Sequence, residues 1–397
     1  MKKIFLLLNI LLIVALTACA GAPAPAAPFA LTPHPSAPAD DALYETRCAT
    51  IYPSIPDDVK LSGSAVLVDH KANSHLFLKN LQNGGETALA TPNDTVSDIR
   101  ISPDNTTIGY QLGNPKTQEW RVVVADAQGQ RKSDTVRSEG FFILGKWVNN
   151  ESILLLTDPP FVVFNPATQQ QVSFGFDDFP GYAFNSNNNR TIEFDKTLEK
   201  AAYKNTNDKV SIYDIPSKKV IAEVDNHPNP SLMAQWAPDG SKVAVNTTIE
   251  LTAKEDDNSE DIFIITRDGQ ISRATRLTDH FGKLVAISKA GLSWSPDGRY
   301  LGFWVIYPQN GYENWELVVN DTVTQKITNY CILNQYEHTW NATHYLLPPV
   351  WSPDGKYLLV ENRYNDTESR TLILNLANQA AYQIEENKFP AGWVAAP

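Results

Sequence analysis

His227, His280, His338 and His344 are four of the seven histidines in the chain, and each falls in a stretch that reads as a loop between strand-rich segments. Imidazole is a common ligand for zinc and other first-row metals. If these loops converged, the four side chains would make a divalent metal site. Tyr307, Tyr312, Trp315, Tyr336, Trp340 and Tyr345 form a second group. They lie in two stretches, Tyr307–Trp315 and Leu333–Pro349, that read as long loops. Clustered aromatics suit contact with a peptide, a protein or a sugar. A third group is acidic, Lys254-Glu-Asp-Asp-Asn-Ser-Glu-Asp261. Hard oxygen ligands suit calcium. The run lacks the EF-hand spacing and its glycine, so it reads as a solvated loop.

Other chemistries have no motif to carry them. The sequence contains no Gly-x-Ser-x-Gly elbow, no phosphate-cradling glycine loop, no Cys-x-x-Cys and no His-Glu-x-x-His. A net charge of −12 argues against nucleic acid as a partner. Three cysteines occur, Cys19, Cys48 and Cys331. Cys48 and Cys331 are disulfide candidates if the chain is exported, two separate thiols otherwise.

The elements that must position these residues announce themselves by repetition. Ile101-Ser-Pro-Asp-Asn-Thr-Thr-Ile-Gly-Tyr110, Trp236-Ala-Pro-Asp-Gly-Ser-Lys-Val-Ala-Val245, Trp294-Ser-Pro-Asp-Gly-Arg-Tyr-Leu-Gly-Phe303 and Trp351-Ser-Pro-Asp-Gly-Lys-Tyr-Leu-Leu-Val360 are one phrase written four times. Proline presets the first central residue of a type I turn, Asp suits the second, and Gly or Asn takes the left-handed position after it. A turn of this kind closes a hairpin. The aromatic before it belongs on the innermost strand of a propeller blade, wedged against the next blade. Asp104, Asp239, Asp297 and Asp354 are therefore structural, as are Trp147, Trp236, Trp294, Trp351 and Trp393. An enzyme does not need one group in every repeat.

Degenerate copies start at Trp147 and Phe194, and the chain ends on Trp393-Val-Ala-Ala-Pro397. Taking Ile101, Trp147, Phe194, Trp236, Trp294, Trp351 and Trp393 as blade starts gives steps of 46, 47, 42, 58, 57 and 42 residues. The expectation is an all-β, single seven-bladed propeller over 61–397, with six blades as the alternative because the Phe194 frame is weak. The strand at Trp393 would complete a blade begun by Leu61–Asp69 and His75–Leu81, which closes the ring and removes its edges.

The Trp-Ser-Pro-Asp-Gly turn, the β run after it and Leu/Ile-Thr endings such as Arg276-Leu-Thr-Asp279 and Lys326-Ile-Thr-Asn329 resemble the TolB-type β-propeller repeat. The same repeat occurs in the propeller halves of prolyl-oligopeptidase-like enzymes. The resemblance covers most of 61–397, least well from 140 to 230. It implies a propeller that binds something or gates an attached enzyme. Some seven-bladed relatives are metal-dependent lyases of pectic fragments, and this implies a metal role for the histidines as an alternative. Fold alone does not supply function.

The N-terminus supplies an address. Met1-Lys-Lys, an apolar run and Leu16-Thr-Ala-Cys19 read as a signal peptide over 1–18. The last four residues resemble a bacterial lipobox, with Cys19 as the lipidated residue. Lipid there would hold the chain on a membrane surface without spanning it. Residues 19–43 are a Pro/Ala-rich tether, extended to roughly 60–70 Å, and 44–60 a segment packing on the ring. The reading is a monomeric, exported, lipid-anchored binding propeller without catalysis. Its partner would be an envelope protein, peptide or glycan, taken on the blade face that carries the aromatic loops. No cofactor is expected on this reading. A metal-dependent lyase using the four histidines is the alternative.

Overall fold

The turns that carry the repeat close as their residue types require. In the computed structural model the amides of Asn105, Gly240, Gly298 and Gly355 donate to the carbonyls of Ser102, Ala237, Ser295 and Ser352 at 2.8, 2.8, 2.8 and 2.9 Å. Those four donors have φ of 58, 75, 67 and 71°, the left-handed region open to Gly and tolerated by Asn. The motif Asp locks each turn. Asp297 Oδ1 accepts the Ser295 hydroxyl at 2.5 Å and the Arg299 amide at 3.1 Å, Asp104 and Asp354 make equivalent bonds, and Asp239, with Ala237 two residues before it, accepts the amide and hydroxyl of Ser241. Their carboxylates are spent on the turn, in keeping with a structural role.

The structure describes residues 43–396 apart from 70–74, 91–94, 115–118, 138–141, 158–160, 183–191, 226–232, 251–257, 284, 289–290, 311, 338–346 and 364–367. The chain divides into two units, 1–32 and 33–397, and every described residue belongs to the second. Its strands form seven sheets, one per blade. The innermost strands are Lys388–Val394 in blade 1, Thr95–Ile101 in blade 2, Phe142–Trp147 in blade 3, Ile192–Phe194 in blade 4, Ala234–Trp236 in blade 5, Ser293–Trp294 in blade 6 and Val350–Trp351 in blade 7. All seven expected blade starts sit on them. The weak Phe194 frame is a true blade. Asp195 stands where three copies have Ser102, Ser295 and Ser352, and its carboxylate accepts the Lys200 amide at 2.8 Å, as the Ser295 and Ser352 hydroxyls accept Tyr300 and Tyr357 at 2.8 and 2.9 Å. Leu198, at φ 61°, takes the left-handed place of glycine.

Adjacent blades bury their faces against one another, and the motif indoles tie them. Trp147 Nε1 donates to the Arg100 carbonyl at 3.0 Å, Trp236 to Glu193 at 3.1 Å, Trp294 to Gln235 at 2.8 Å and Trp351 to Ser293 at 2.9 Å. In each case the acceptor immediately precedes the start residue of the preceding blade, Ile101, Phe194, Trp236 or Trp294. The ring closes in blade 1, where Lys388–Val394 pairs antiparallel with Ser64–Asp69 and Trp393 lies opposite Ala65.

A strap reinforces this seam. Tyr44–Thr46 adds a parallel strand to the outer edge of blade 6, Tyr44 opposite Ile327. Thr50–Tyr52 adds another to blade 7, Thr50 opposite Ala380. Ile55 and Val59 then pack with Leu61, Leu359 and Trp393 between blades 7 and 1. Cys48, between the two strap strands, is bonded to Cys331 with Cα atoms 4.7 Å apart. Cys331 lies within its strand, not at an end. It sits in a bulge inside Lys326–Glu337, at φ 55°, with its amide held by Asn329 Oδ1 at 2.7 Å. A bulge re-aims a side chain, here toward the strap.

Two expectations are corrected. Leu277–Phe281 is a short helix, not the end of an outer strand, because the Leu277 amide is capped by the Asp261 carboxylate at 2.9 Å. The described parts of the stretches read as long loops are largely strand: Glu250 and Asn258–Asp261, Tyr307–Gln309, Tyr312–Trp315 and Leu333–Glu337, with 251–257 and 338–346 outside the described residues.

Two outcomes follow for chemical denaturation. Replacing Cys48 or Cys331 by Ser opens a link across 283 residues and should cost about 3–5 kcal/mol. The two variants should match, and the double variant should lose no more than either. Trp294→Phe keeps the ring but strands the Gln235 carbonyl, so it should cost about 1–3 kcal/mol, against about 3–5 for Trp294→Ala.

Candidate functional site

Blade 6 is the largest, with long strands of ten, ten and twelve residues at Tyr300–Gln309, Tyr312–Asp321 and Lys326–Glu337. Its central hairpin pairs Gln309 with Tyr312 and Tyr307 with Asn314. It ends on the face opposite the Ser-Pro-Asp-Gly turns. The three aromatics expected to share this rim do share the hairpin, but strand alternation sends them different ways. Tyr307, 4% exposed, points toward blade 5 and packs with Val305 and Phe281. Its hydroxyl donates to Glu316 Oε2 at 2.9 Å. Trp315, 7% exposed, points toward blade 7 and packs with Trp304 and Trp351. Its indole donates to Glu313 Oε1 at 2.5 Å. Tyr312, at the tip, is 41% exposed. The side chains of Tyr336, Trp340 and Tyr345 lie outside the described residues.

His280 ends the short helix that leads from blade 5 to blade 6. Its ring stacks on Tyr44 of the strap, centroids 4.1 Å apart. Phe281 meets Tyr44 edge-on and lies 5.3 Å from Tyr307. Asn329 Nδ2 donates to the Tyr44 hydroxyl at 2.9 Å. The strap, the helix and the blade 6 hairpin thus meet in one aromatic junction with Glu316 close by. Burial pushes the Tyr44 phenol up, opposed by the Asn329 bond. Tyr307 is raised further, by burial first and then by the Glu316 carboxylate. Burial also lifts Tyr330, to about 12. His227, His338 and His344 lie outside the described residues. Among the described residues no three His, Cys, Asp or Glu side chains gather as metal ligands do. Asp261, read from sequence as part of a solvated acidic loop, is fully buried. It accepts the Thr275 hydroxyl at 2.9 Å and pairs with Arg273, while burial still pushes its carboxyl above the usual range.

Sequence reading missed a second feature. The residue just before the blade-start position is partly accessible in six blades: Arg100, Lys146, Glu193, Gln235, Ser293 and Val350. The motif aromatics beside Lys146, Glu193, Gln235, Ser293 and Val350 are buried. Innermost strands of neighbouring blades touch around most of the ring, and their free edges surround its axis. These six residues therefore face the central channel. The seventh position is Gly392, where an added Cβ would fall 2.2 Å from Ile101 Cγ1. One arc of the wall is charged and the other is small. Arg100 donates to the Gly145 carbonyl of blade 3 and to Ile99 at 2.9 Å. The Lys146 ammonium meets the Glu193 carboxylate of blade 4. Burial lowers Arg100, with Asp98 opposing, and draws Lys146 down to about 7, with Asp195 opposing. Asp98 itself has φ 52° and a carboxyl raised by burial. The available signal was three charged residues in a row at one repeat position.

Residues 186–309 match the family model of the dipeptidyl peptidase IV N-terminal region. No curated protein matches the sequence. Among solved structures, TolB from Acinetobacter baumannii is similar over 83% of this chain and 66% of its own, with 14% identity and a TM-score of 0.41. This chain thus spans just under two thirds of that protein. An oligogalacturonate lyase in complex with manganese is similar over 82% and 86%, with 13% identity and a TM-score of 0.49. The propeller domain of Myceliophteria thermophila Cps50 (Swd1) is similar over 82% and 98%, with 12% identity and a TM-score of 0.45.

The raised phenols give a pH outcome. An unfolded tyrosine loses its proton near 10, while Tyr330 holds its own to about 12. Stability should be full below the unfolded value and fall as pH rises through the folded ones. Absorbance titration should show a delayed group of phenols. Glu316→Gln should bring Tyr307 into ionisation earlier.

Proposed function

We propose that this chain is an exported, non-catalytic binding propeller. Lipid on Cys19 and the 19–43 tether would hold it at a membrane surface. Its partner would be a peptide, an envelope protein or a glycan, bound at the hairpin end of blade 6. The extension of that blade to an exposed tip at Tyr312 carries this reading. An amphipathic aromatic held on a rigid hairpin offers contact area at little entropic cost. The Cys48–Cys331 bond suits an oxidising compartment. The strap enters blade 6 beside the Lys326 end of its outer strand. Tyr312 pairs with Glu337 at the other end of that strand, so the tip lies away from the point where the tether arrives.

The test is retention of glycan-array ligands and cross-linked envelope partners by wild type, Tyr312→Ala and Val323→Ala. Val323 is 72% exposed on the turn face and serves as the control. Tyr312→Ala should weaken retention by about tenfold, the scale of one interface anchor, with an unchanged melting temperature. Equal retention by all three proteins rejects this face. Stoichiometric divalent metal in the purified protein, lost in His280→Ala, would instead favour the lyase reading.

A further inference from the structure

The central channel carries an arrangement that the blade 6 face does not use. Arg100 and Lys146 occupy the same repeat position in adjoining blades, and the Arg100 guanidinium reaches the carbonyl of Gly145, the residue next to Lys146. The two cationic residues thus stand on adjoining blades of the channel wall. The guanidinium is fixed through backbone carbonyls, which are neutral acceptors. The Lys146 ammonium is held by a carboxylate, that of Glu193. Asp98 and Asp195 are the other negative groups that act on this pair of cations.

The Lys146 and Glu193 side chains keep 17% and 18% of their surface accessible. A pair enclosed by blades yet still accessible borders space that protein does not fill. Across the ring the same position is Ser293, Val350 and Gly392, and Gly392 has no room for a side chain. The small arc leaves the charged arc unobstructed. Partly desolvated cations gain from an anion more than exposed ones do; a guanidinium fork matches carboxylate geometry, and an ammonium adds a point charge beside it.

We propose that Arg100 and Lys146 form a binding site for the carboxylate of a small ligand entering the channel, with Glu193 as its built-in occupant. Glu193 shows that a carboxylate fits against Lys146. A ligand carboxylate would take that place as Glu193 swings aside, and Arg100 would supply the second cation. The site is separate from Tyr312, so the two can succeed or fail independently.

The competing explanation is a latch without a ligand. Blade 4 begins with Phe194, which has no indole to tie it to blade 3, and the Lys146–Glu193 pair could serve as that tie alone. Calorimetric titration separates the two. The probes are acetyl-trialanine as free acid and as C-terminal amide, and digalacturonate as free acid and as methyl ester. The first pair represents a peptide terminus and the second a sugar acid. Binding of either acid, with its neutral partner at least about tenfold weaker, is expected, because a charge-assisted pair is what is lost. Lys146→Met should weaken that binding by about tenfold or more, and Glu193→Gln should strengthen it by about tenfold, on the scale of one charge-assisted bond. Tyr312→Ala should leave it unchanged. The gain in Glu193→Gln cannot arise from misfolding. If neither acid binds wild type or Glu193→Gln below about 10 mM, or if binding ignores both substitutions, the pair is a latch and the proposal is wrong.

Discussion

A blade sheet has two faces, and neither can be left to water. Each face is buried against the neighbouring blade, and the motif indole joins the two by giving its N–H to a carbonyl at one repeat position. That contact is made by Trp147, Trp236, Trp294 and Trp351, while Trp393 gives its N–H to the Ser62 carbonyl. The contact is why the repeat carries Trp there, since a buried indole needs an acceptor and the neighbouring innermost strand supplies one. Where the indole is missing, other groups link the blades. Blade 4 starts at Phe194, and there Lys146 and Glu193 join blades 3 and 4.

A ring of this kind has one weak place, the blade assembled from both chain ends. The strap addresses it three times over. It extends the sheets of blades 6 and 7, covers the apolar gap between blades 7 and 1, and is fixed covalently at Cys48. The outer edges of two blades, which would otherwise present unpaired backbone groups, are covered in the same stroke.

How much was legible in the sequence follows from which physics is local. The turns are local, so Ser-Pro-Asp-Gly and the aromatic before it located the blades. Phe194 was harder because Asp195 and Leu198 reproduce the turn with other residue types, and only spacing pointed there. The closing strand at Trp393 was legible because a half-written repeat stood at each end of the chain. Blade 6 was misjudged because Pro308, Asn310 and Asn314 look like loop residues, although they sit in or at the tip of a long hairpin whose pairing supplies the order. The direction of Tyr307 and Trp315 could not be read without that pairing. The channel arc went unseen because attention fell on the aromatics and not on the residue before each one. The strap strands have three residues each, too short for any period to show.

The position of the disulfide has a mechanical consequence. A pull applied to the chain ahead of Tyr44 first meets the short strand Tyr44–Thr46, and then Cys48. From there the load passes through sulfur into the wall of blade 6. The hydrogen-bonded seam at Ser64–Asp69 lies downstream of that junction and is shielded from the tension. A tug on this end of the chain is thus borne without unlacing the ring at its closure.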